Sequence, residues 1–290
     1  MTEKLGSGAT RFSRVRARLE SRAPTSCLGT FVFEFLLFAF KQGWACLFGA
    51  LMLVLLLGTH FFYPADAPVA RYDFLTLAAL LIQIGMLWFR LESWSEAKVI
   101  LAFHIVGTVM ELFKTAHGSW VYGGPGLLKI GAVPLFSGFM YAAVGSYIAR
   151  VWRIFDFRFT HFPRRTTMVS LAAAIYVNFF AHHWLPDVRL LLFMATALVF
   201  GRSWVYYRPF RKHRRMPLLV GFFLVASFIW FAENIGTFAH VWSYPSQKAG
   251  WTMVSPAKLG AWYLLMIISF ALVSLVHGEE TLPPPETRAT

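Results

Sequence analysis

The stretch Glu111–Tyr122, "ELFKTAHGSWVY", decides the fold, because its pattern recurs later in the chain. Glu233–Tyr244 reads "ENIGTFAHVWSY", and an offset of 122 residues (111 to 233) matches the Glu, Thr, Trp and Tyr without a gap. The same offset aligns further identical residues on both sides: Pro134 with Pro256, Gly138 with Gly260, Tyr141 with Tyr263, His60 with His182, and Pro64 with Pro186. The pattern therefore predicts an internal repeat.

The composition is typical of a membrane protein. Hydrophobic residues make up 57% of the 290 residues and charged residues 14%, whereas soluble domains have about 45–50% and about 25%. One soluble core cannot bury this much apolar surface, so most of it is expected to face lipid or neighbouring membrane helices. Cys27 and Cys46 have no CxxC pattern and indicate neither a disulfide framework nor a zinc site. The predicted class is all-α, a polytopic helical membrane protein.

Eight segments reach spanning length, at ~20 residues per span. They are predicted near residues 44–63, 72–90, 97–116, 133–151, 167–185, 188–206, 216–237 and 258–277. The repeat divides the membrane part into residues 44–151 and 152–277, each with four spans. A basic, disordered cytosolic tail is expected at 1–27, an interfacial helix at 28–43, and a second disordered cytosolic tail at 278–290.

The basic residues predict the orientation. The joins after the second, fourth and sixth spans are rich in Lys and Arg, and "RPFRKHRR" (208–215) is the densest cluster. By the positive-inside rule both termini then lie in the cytoplasm. The net charge of +13 is thereby explained by topology, and nucleic acid is excluded as a partner. Two four-span halves begin and end on the same side, so the repeats are expected to be parallel, around an axis along the membrane normal.

The two acids are the first site candidates. An ionisable residue inside a span is by default a functional-site hypothesis, and Glu111 and Glu233 both fall near the outward end of a span. Thr115 and Thr237 follow four residues later, on the same helix face. The functional interpretation is a general acid or base. The alternative is a structural carboxylate that accepts hydrogen bonds from backbone or Tyr hydroxyl groups.

Histidines suggest a metal as a further alternative. His60 and His182 each precede a Pro by four residues at an outward span end, and Asn178 shares a helix face with His182. Two His and two Glu suit a divalent ion such as Zn, Fe or Mn. However, no HExxH or ExxH spacing accompanies them, and lone His residues at helix ends are more often interfacial hydrogen-bonding groups.

The aromatic pairs have three interpretations. Trp120 with Tyr122, and Trp242 with Tyr244, fit an aromatic belt at the outer interface. Their identical spacing from an acid favours packing that closes the outer loops over the helices. A third interpretation is that they line a substrate site, since both residue types offer an apolar face with one polar group. Asn234 is a further polar candidate.

Three long runs carry a family resemblance: "FHIVGTVMELFKTAHGSWVY…VPLFSGFMYAAVGSY", "AAAIYVNFFAHHWLPDVR" and "WFAENIGTFAHVWSYPSQKAGW". Over roughly residues 35–277 the chain resembles the YoaT-like bacterial membrane proteins, grouped as domain of unknown function 817. The resemblance implies a multi-pass protein of the bacterial inner (plasma) membrane and no particular activity. A weaker likeness, which rests on an intramembrane acid, a Trp/Tyr loop and "GAVPL", is to carotenoid hydratases and heterodimeric lycopene cyclases.

Three functions remain open from the sequence. The leading hypothesis is an enzyme or binder that acts on a prenyl- or carotenoid-type apolar lipid at the outward side, with Glu111 and Glu233 moving a proton. The rival is a secondary transporter of a small solute, against which the apolar inner halves of the spans count. The third is a metal-binding membrane protein. Membrane lipids are the expected partners, and the sequence predicts no oligomeric state.

Overall fold

A computed structural model describes residues 11–21, 24 and 26–277 of the protein. Within this range ten α-helices dominate: α1 (Arg11–Glu20), α2 (Cys27–Ala45), α3 (Leu47–Phe62), α4 (Arg71–Trp88), α5 (Trp94–Ala116), α6 (Phe136–Ile154), α7 (Arg165–Ala181), α8 (Arg189–Phe200), α9 (Leu218–Phe238) and α10 (Ala257–His277). Five short strands accompany them: β1 (Lys129–Ile130), β2 (Val133–Pro134), β3 (Arg158–Thr160), β4 (Trp204–Tyr207) and β5 (Arg214–Pro217).

Helices α3 to α10 run alternately between two ends of the molecule. At the first, the sheet end, β3, β4 and β5 pair antiparallel in that order, between the joins after α6 and α8. At the other, the bridge end, the loops after α5 and α9 meet through an isolated antiparallel bridge between Val121 and Ser243. Arg71, which begins α4, donates to the Ala239 carbonyl at this second end. The joins predicted as cytoplasmic lie at the sheet end, and those predicted as outward lie at the bridge end.

The helices differ in length and in how apolar they are. Among the described residues, three helical segments are long and apolar enough to cross a membrane: Glu96–Ala116, Leu218–Phe238 and Ala257–Leu275. The helices Cys27–Ala45 and Leu47–Phe62, bent by 65° at their junction, raise the number to four if they form one broken span. A helix overlaps each of the eight predicted spans, but only these three or four segments qualify as membrane-crossing by length and composition. The prediction of 188–206 as a continuous span is wrong. Helix α8 ends at Phe200, because the chain turns there into β4.

Three further predictions need correction. The all-α class omits the two small sheets. The tail 1–27, expected to be disordered, contains α1 at Arg11–Glu20, where apolar residues at 12, 15 and 19 recur at helical spacing. The interfacial helix expected at 28–43 is α2, which continues into α3 through the bend. The predicted tail 278–290 lies outside the described residues.

Helices α5 and α6 pack closely at the centre of the molecule. Gly107 permits it, because a Cβ at this position would lie 2.6 Å from the Cβ of Tyr141 on α6. The main core is apolar and draws on all the helices from α3 to α10; its fully buried members include Phe48, Ala79, Phe200 and Ile267. Polar residues in the interior are therefore confined to particular clusters.

The ends of α5 and α9 have the same backbone form. Gly118 and His240 both adopt the left-handed conformation, with φ of 66° and 51°. The Gly118 N–H donates to the carbonyl of Thr115 at 3.0 Å, and the His240 N–H donates to that of Thr237 at 3.0 Å. Each turn satisfies the last carbonyls of its helix and directs the chain into the bridge. The members of each pair are again 122 residues apart.

Candidate functional site

Glu111 lies at the bridge end of α5 and is only 3% exposed. Its Oε2 accepts hydrogen bonds from the Trp120 indole at 2.7 Å and the Tyr122 hydroxyl at 2.8 Å, while Oε1 accepts from the Tyr141 hydroxyl at 2.9 Å. Trp120 and Tyr122 flank Val121, so the bridge holds both on one face of the extended segment. The two hydroxyl contacts agree with the alternative interpretation of Glu111 as a structural carboxylate that accepts from Tyr hydroxyl groups.

Glu233, on α9, has a similar but not identical setting, and it is 5% exposed. The Tyr244 hydroxyl donates to its Oε1, and the Trp262 indole on α10 donates to Oε2 at 2.6 Å. Trp242 does not occupy the position at Glu233 that Trp120 occupies at Glu111. Trp242 packs on Gly236, where a Cβ would clash with its ring, and Trp262 supplies the indole instead.

Two of the tyrosines lie in loops outside the helices. Burial raises the pKa of the Tyr122 phenol well above its ordinary value, and the Glu111 carboxylate raises it further. Burial, then Glu233, has the same effect on the pKa of Tyr244. Both phenols therefore stay neutral at physiological pH and act as hydrogen-bond donors to the acids. The two centres adjoin, since the Trp120 and Tyr244 rings meet edge to face with centroids 6.1 Å apart.

The side chains of the remaining polar candidates bond mainly to the backbone and not to the carboxylates of Glu111 and Glu233. The Thr115 hydroxyl donates to the Glu111 carbonyl at 2.7 Å. Thr237 donates to the Asn234 carbonyl and accepts from the Trp251 indole. Asn234 Oδ1 accepts from the Val254 N–H and fixes the loop before α10. Asn178 bonds Asp187 and the Val188 N–H in the turn between α7 and α8.

The predicted histidine ligands lie in separate clusters. The His60 ring is near Phe238 and His240, at the end of α9. His182 is near Lys114, at the end of α5. In residues 11–21, 24 and 26–277, no group of three or more His, Cys, Asp and Glu residues is placed to hold a metal ion. The proposed ligand set of two His and two Glu is therefore not brought together.

A cavity of about 30 Å³ lies next to the carboxylates, between α5, α6, α9 and α10. Tyr141 and Trp262, which donate to Glu111 and Glu233, both form part of its wall. The rest of the lining is almost entirely apolar, with members from all four helices: Phe103, Val106, Gly107, Met110, Val144, Ile229, Leu265, Met266, Ile268, Ser269 and Leu272. The polar groups of the site thus meet an apolar space.

A second buried polar cluster, at the sheet end, was not predicted. Arg150 and Glu92 form an ion pair at 2.9 Å, and the side chains of both are fully buried. Ser146 and Gln83 also donate to Glu92. Arg150 was assigned from the sequence to the cytoplasmic loop charges, because positive residues next to a span are usually exposed. Instead it donates to the Trp44 carbonyl, at the bend between α2 and α3.

Tyr141 and Trp262 were also missed as site residues. The repeat offset did align Tyr141 with Tyr263, but that gave no reason to place either residue at an acid 30 positions away. The placement depends on Gly107, which lets α6 approach α5, and Trp262 lies one position away from the residue aligned with Tyr141.

Comparisons with known proteins agree with the motifs. A family model described as "Protein of unknown function (DUF817)" matches residues 34–270. The chain is 42% identical to "Uncharacterized protein YoaT" of Bacillus subtilis (strain 168) over 247 residues, which cover 85% of this chain and 93% of that protein.

No solved structure matches the chain. The weaker likeness to carotenoid hydratases and lycopene cyclases receives no support from these comparisons and stays a prediction. The family match covers both carboxylates, their aromatic donors and the cavity lining except Leu272. The chain belongs to the DUF817 family, together with YoaT.

Proposed function

We propose that the protein binds an apolar, prenyl-type lipid in the cavity, and that Glu111 and Glu233 hold and move a proton at its polar wall. The observation that carries the proposal is the shared role of Tyr141 and Trp262, which contact a carboxylate and also line the apolar space. Predominantly apolar pockets with a few convergent polar groups are typical of ligand sites. Tyr141 thus connects the Glu111 centre to the wall of the cavity.

The proposed setting is a bacterial plasma membrane. Helices α3 to α10 would pass through it as eight membrane helices in two parallel groups of four, with the sheet end and both termini cytoplasmic. The two groups are supported by the matching turns after α5 and α9, and by the bridge between Val121 and Ser243. Val121 and Ser243 are 122 positions apart, so they are equivalent residues of the two groups. Antiparallel pairing of equivalent residues is the arrangement that a two-fold axis would produce.

The proposed reaction is limited by the size of the cavity. A volume of about 30 Å³ holds only about two water molecules, at roughly 10–15 Å³ for each. A longer chain therefore enters only if side chains of α5 and α10 move apart. Glu111 has three donors and Glu233 has two, so Glu233 is the better placed to accept a hydrogen bond from a ligand.

The test is the lipid that copurifies with the protein. The chain is expressed in a host that makes prenyl lipids, purified in detergent, and its lipids are identified by mass spectrometry. The variant Ser269→Phe fills the cavity and is expected to lose the prenyl lipid. The matched control Leu101→Phe adds the same ring to an exposed position of α5 and is expected to retain it. Equal prenyl lipid in wild type and Ser269→Phe, or none in either, would refute the proposal.

A secondary transporter is the second candidate, favoured by the buried cluster of Glu92 and Arg150. Together with Glu111, this cluster gives α5 polar partners near both ends, contrary to the prediction that polar residues gather outward only. The transporter ranks second because, between these two polar groups, α5 contributes Phe103, Val106 and Met110 to an apolar wall. Solute flux in proteoliposomes that Glu111→Gln abolishes would reverse the order.

A further inference from the structure

A basic cluster lies beyond the carboxylates at the bridge end. Lys114 is only 3% exposed, and its Nζ lies 3.1 Å from His183 Nε2 and 3.4 Å from His182 Nε2. A lysine ammonium only donates, so both nitrogens must accept. His182 has a matching partner, because its Nδ1 lies 3.1 Å from the Asn178 carbonyl and can donate to it. The two imidazoles are therefore held as neutral acceptors around a buried cation.

The basic residues around Lys114 are only partly paired with carboxylates. Within the described part of the chain, no carboxylate lies within ion-pair distance of Lys114. Lys258 and Arg189 are its closest charged neighbours of the same sign. Asp187 also acts on Lys114 but is paired with Arg189 at 3.1 Å, and Glu233 acts on Lys258, so Lys114 is the buried cation without an ion pair of its own among the described residues. A buried cation without a counter-ion favours binding of an anion.

Lys258 lies next to the acid centres without occupying them. Its Nζ is 4.3 Å from the centre of the Tyr244 ring and 5.4 Å from that of Trp120. Tyr244 and Trp120 donate to Glu233 and Glu111. The carboxylate oxygens accept from these indole and phenol donors, and Glu233 is close enough to Lys258 for the two charges to attract each other.

The order of residues along two helices forms three layers. On α5, Lys114 is nearest the bridge end, Glu111 follows one turn deeper, and Gly107 lines the cavity one turn further on. On α10, Lys258 comes first and Trp262, the donor to Glu233, follows. Leu265 and other cavity residues come next on α10. Both helices therefore present a cation, then a carboxylate centre, then an apolar space.

Resting on the function proposed above, we infer that the ligand is amphipathic, with a phosphate group at Lys114 and Lys258 and an apolar chain directed into the cavity. A phosphate monoester carries up to two negative charges and three acceptor oxygens, which suit two lysines. Lysine is a common phosphate-binding side chain. The three layers match the order of such a molecule, from charged head to apolar tail.

Binding to the purified full-length protein in nanodiscs tests the inference, with tryptophan fluorescence as the signal. The probes are farnesyl phosphate, farnesol and inorganic phosphate. Farnesyl phosphate is expected to bind at least about tenfold more tightly than farnesol, equivalent to about 1.4 kcal/mol. Lys114→Met and Lys258→Met should each remove this preference and leave farnesol binding unchanged. Lys98→Met, on α5 but at the sheet end and exposed, should keep it.

Each other outcome overturns the inference in a distinguishable way. Equal affinity for farnesyl phosphate and farnesol, unaffected by either variant, removes the phosphate site and leaves the apolar pocket standing. Binding of neither isoprenoid removes the proposed function as well. Inorganic phosphate that competes as well as farnesyl phosphate would show a site for free phosphate instead of a lipid head. If Lys114→Met unfolds the protein because Lys114 is buried, Lys258→Met alone tests the inference.

Discussion

Replacing Glu111 tests whether its carboxylate organises the bridge end. Glu111→Met is apolar and of similar length, so the Trp120 indole and the Tyr122 and Tyr141 hydroxyls lose their acceptor without a large cavity being created. An unsatisfied buried donor costs about 1–3 kcal/mol, and hydrogen bonds within membrane proteins average about 0.6 kcal/mol. Three donors then give a loss of at least about 2 kcal/mol in the free energy of unfolding.

The assay is equilibrium unfolding of the purified protein in mixed micelles with increasing SDS, followed by circular dichroism. A rescue variant makes the test specific: Glu111→Met combined with Tyr122→Phe and Tyr141→Phe removes two of the three orphaned donors and should regain more than half of the loss. Glu233→Met, which orphans two donors, should cost less than Glu111→Met. A loss below about 0.5 kcal/mol for Glu111→Met, or further destabilisation in the rescue variant, would refute the reasoning.

Three further predictions concern packing, the sheet-end ion pair and alkaline pH. Gly107→Ala places a Cβ 2.6 Å from Tyr141 and should lower the free energy of unfolding by about 1–3 kcal/mol. Gly85→Ala, with open space around it, should be neutral or slightly stabilising in the same assay. Arg150→Met leaves the fully buried Glu92 unpaired and should cost about 3–5 kcal/mol, and adding Glu92→Leu should recover most of it. Because the pKa of Tyr122 is raised in the folded protein, its stabilising contribution is complete below the unfolded value of about 10 and is lost as pH rises through the folded value. Between pH 9 and pH 11 the free energy of unfolding should therefore fall less for Tyr122→Phe than for wild type. Equal decreases would contradict the contribution assigned to the Tyr122 phenol.

The contacts of the site that depend on short-range spacing can be predicted from the sequence, where Tyr hydroxyl donors to the acids were the alternative interpretation. Glu111 and Tyr122 are eleven positions apart (111 to 122), joined by one helix end and one turn, so their contact follows from local geometry. The same holds for Glu233 and Tyr244. Apolar length located the helices, but only three of the described segments, or four with the bent pair α2 and α3, are long and apolar enough to cross a membrane, against eight predicted spans. The basic joins lie together at the sheet end.

The missed features depend on how distant elements pack. Whether Arg150 is exposed or buried depends on Glu92, 58 positions earlier (92 to 150), and neither residue's neighbours indicate the other. The exchange of Trp242 for Trp262 at Glu233 depends on Gly236, which draws the Trp242 ring onto α9. The early end of α8 at Phe200 reflects strand pairing with β3, and apolar composition alone does not report such pairing.

The bridge between Val121 and Ser243 restricts the lengths of the two loops that it joins. Side chains alternate along an extended segment, so removing or adding a single residue between Glu111 and Val121 would turn Trp120 and Tyr122 away from the acid. The mirrored segment before Ser243 is under the same restriction, because each loop provides the pairing partner of the other. Insertions and deletions should therefore be excluded from both loops and tolerated elsewhere, for example between β4 and β5. In evolutionary terms, the two loops can accept substitutions, but they have a fixed length.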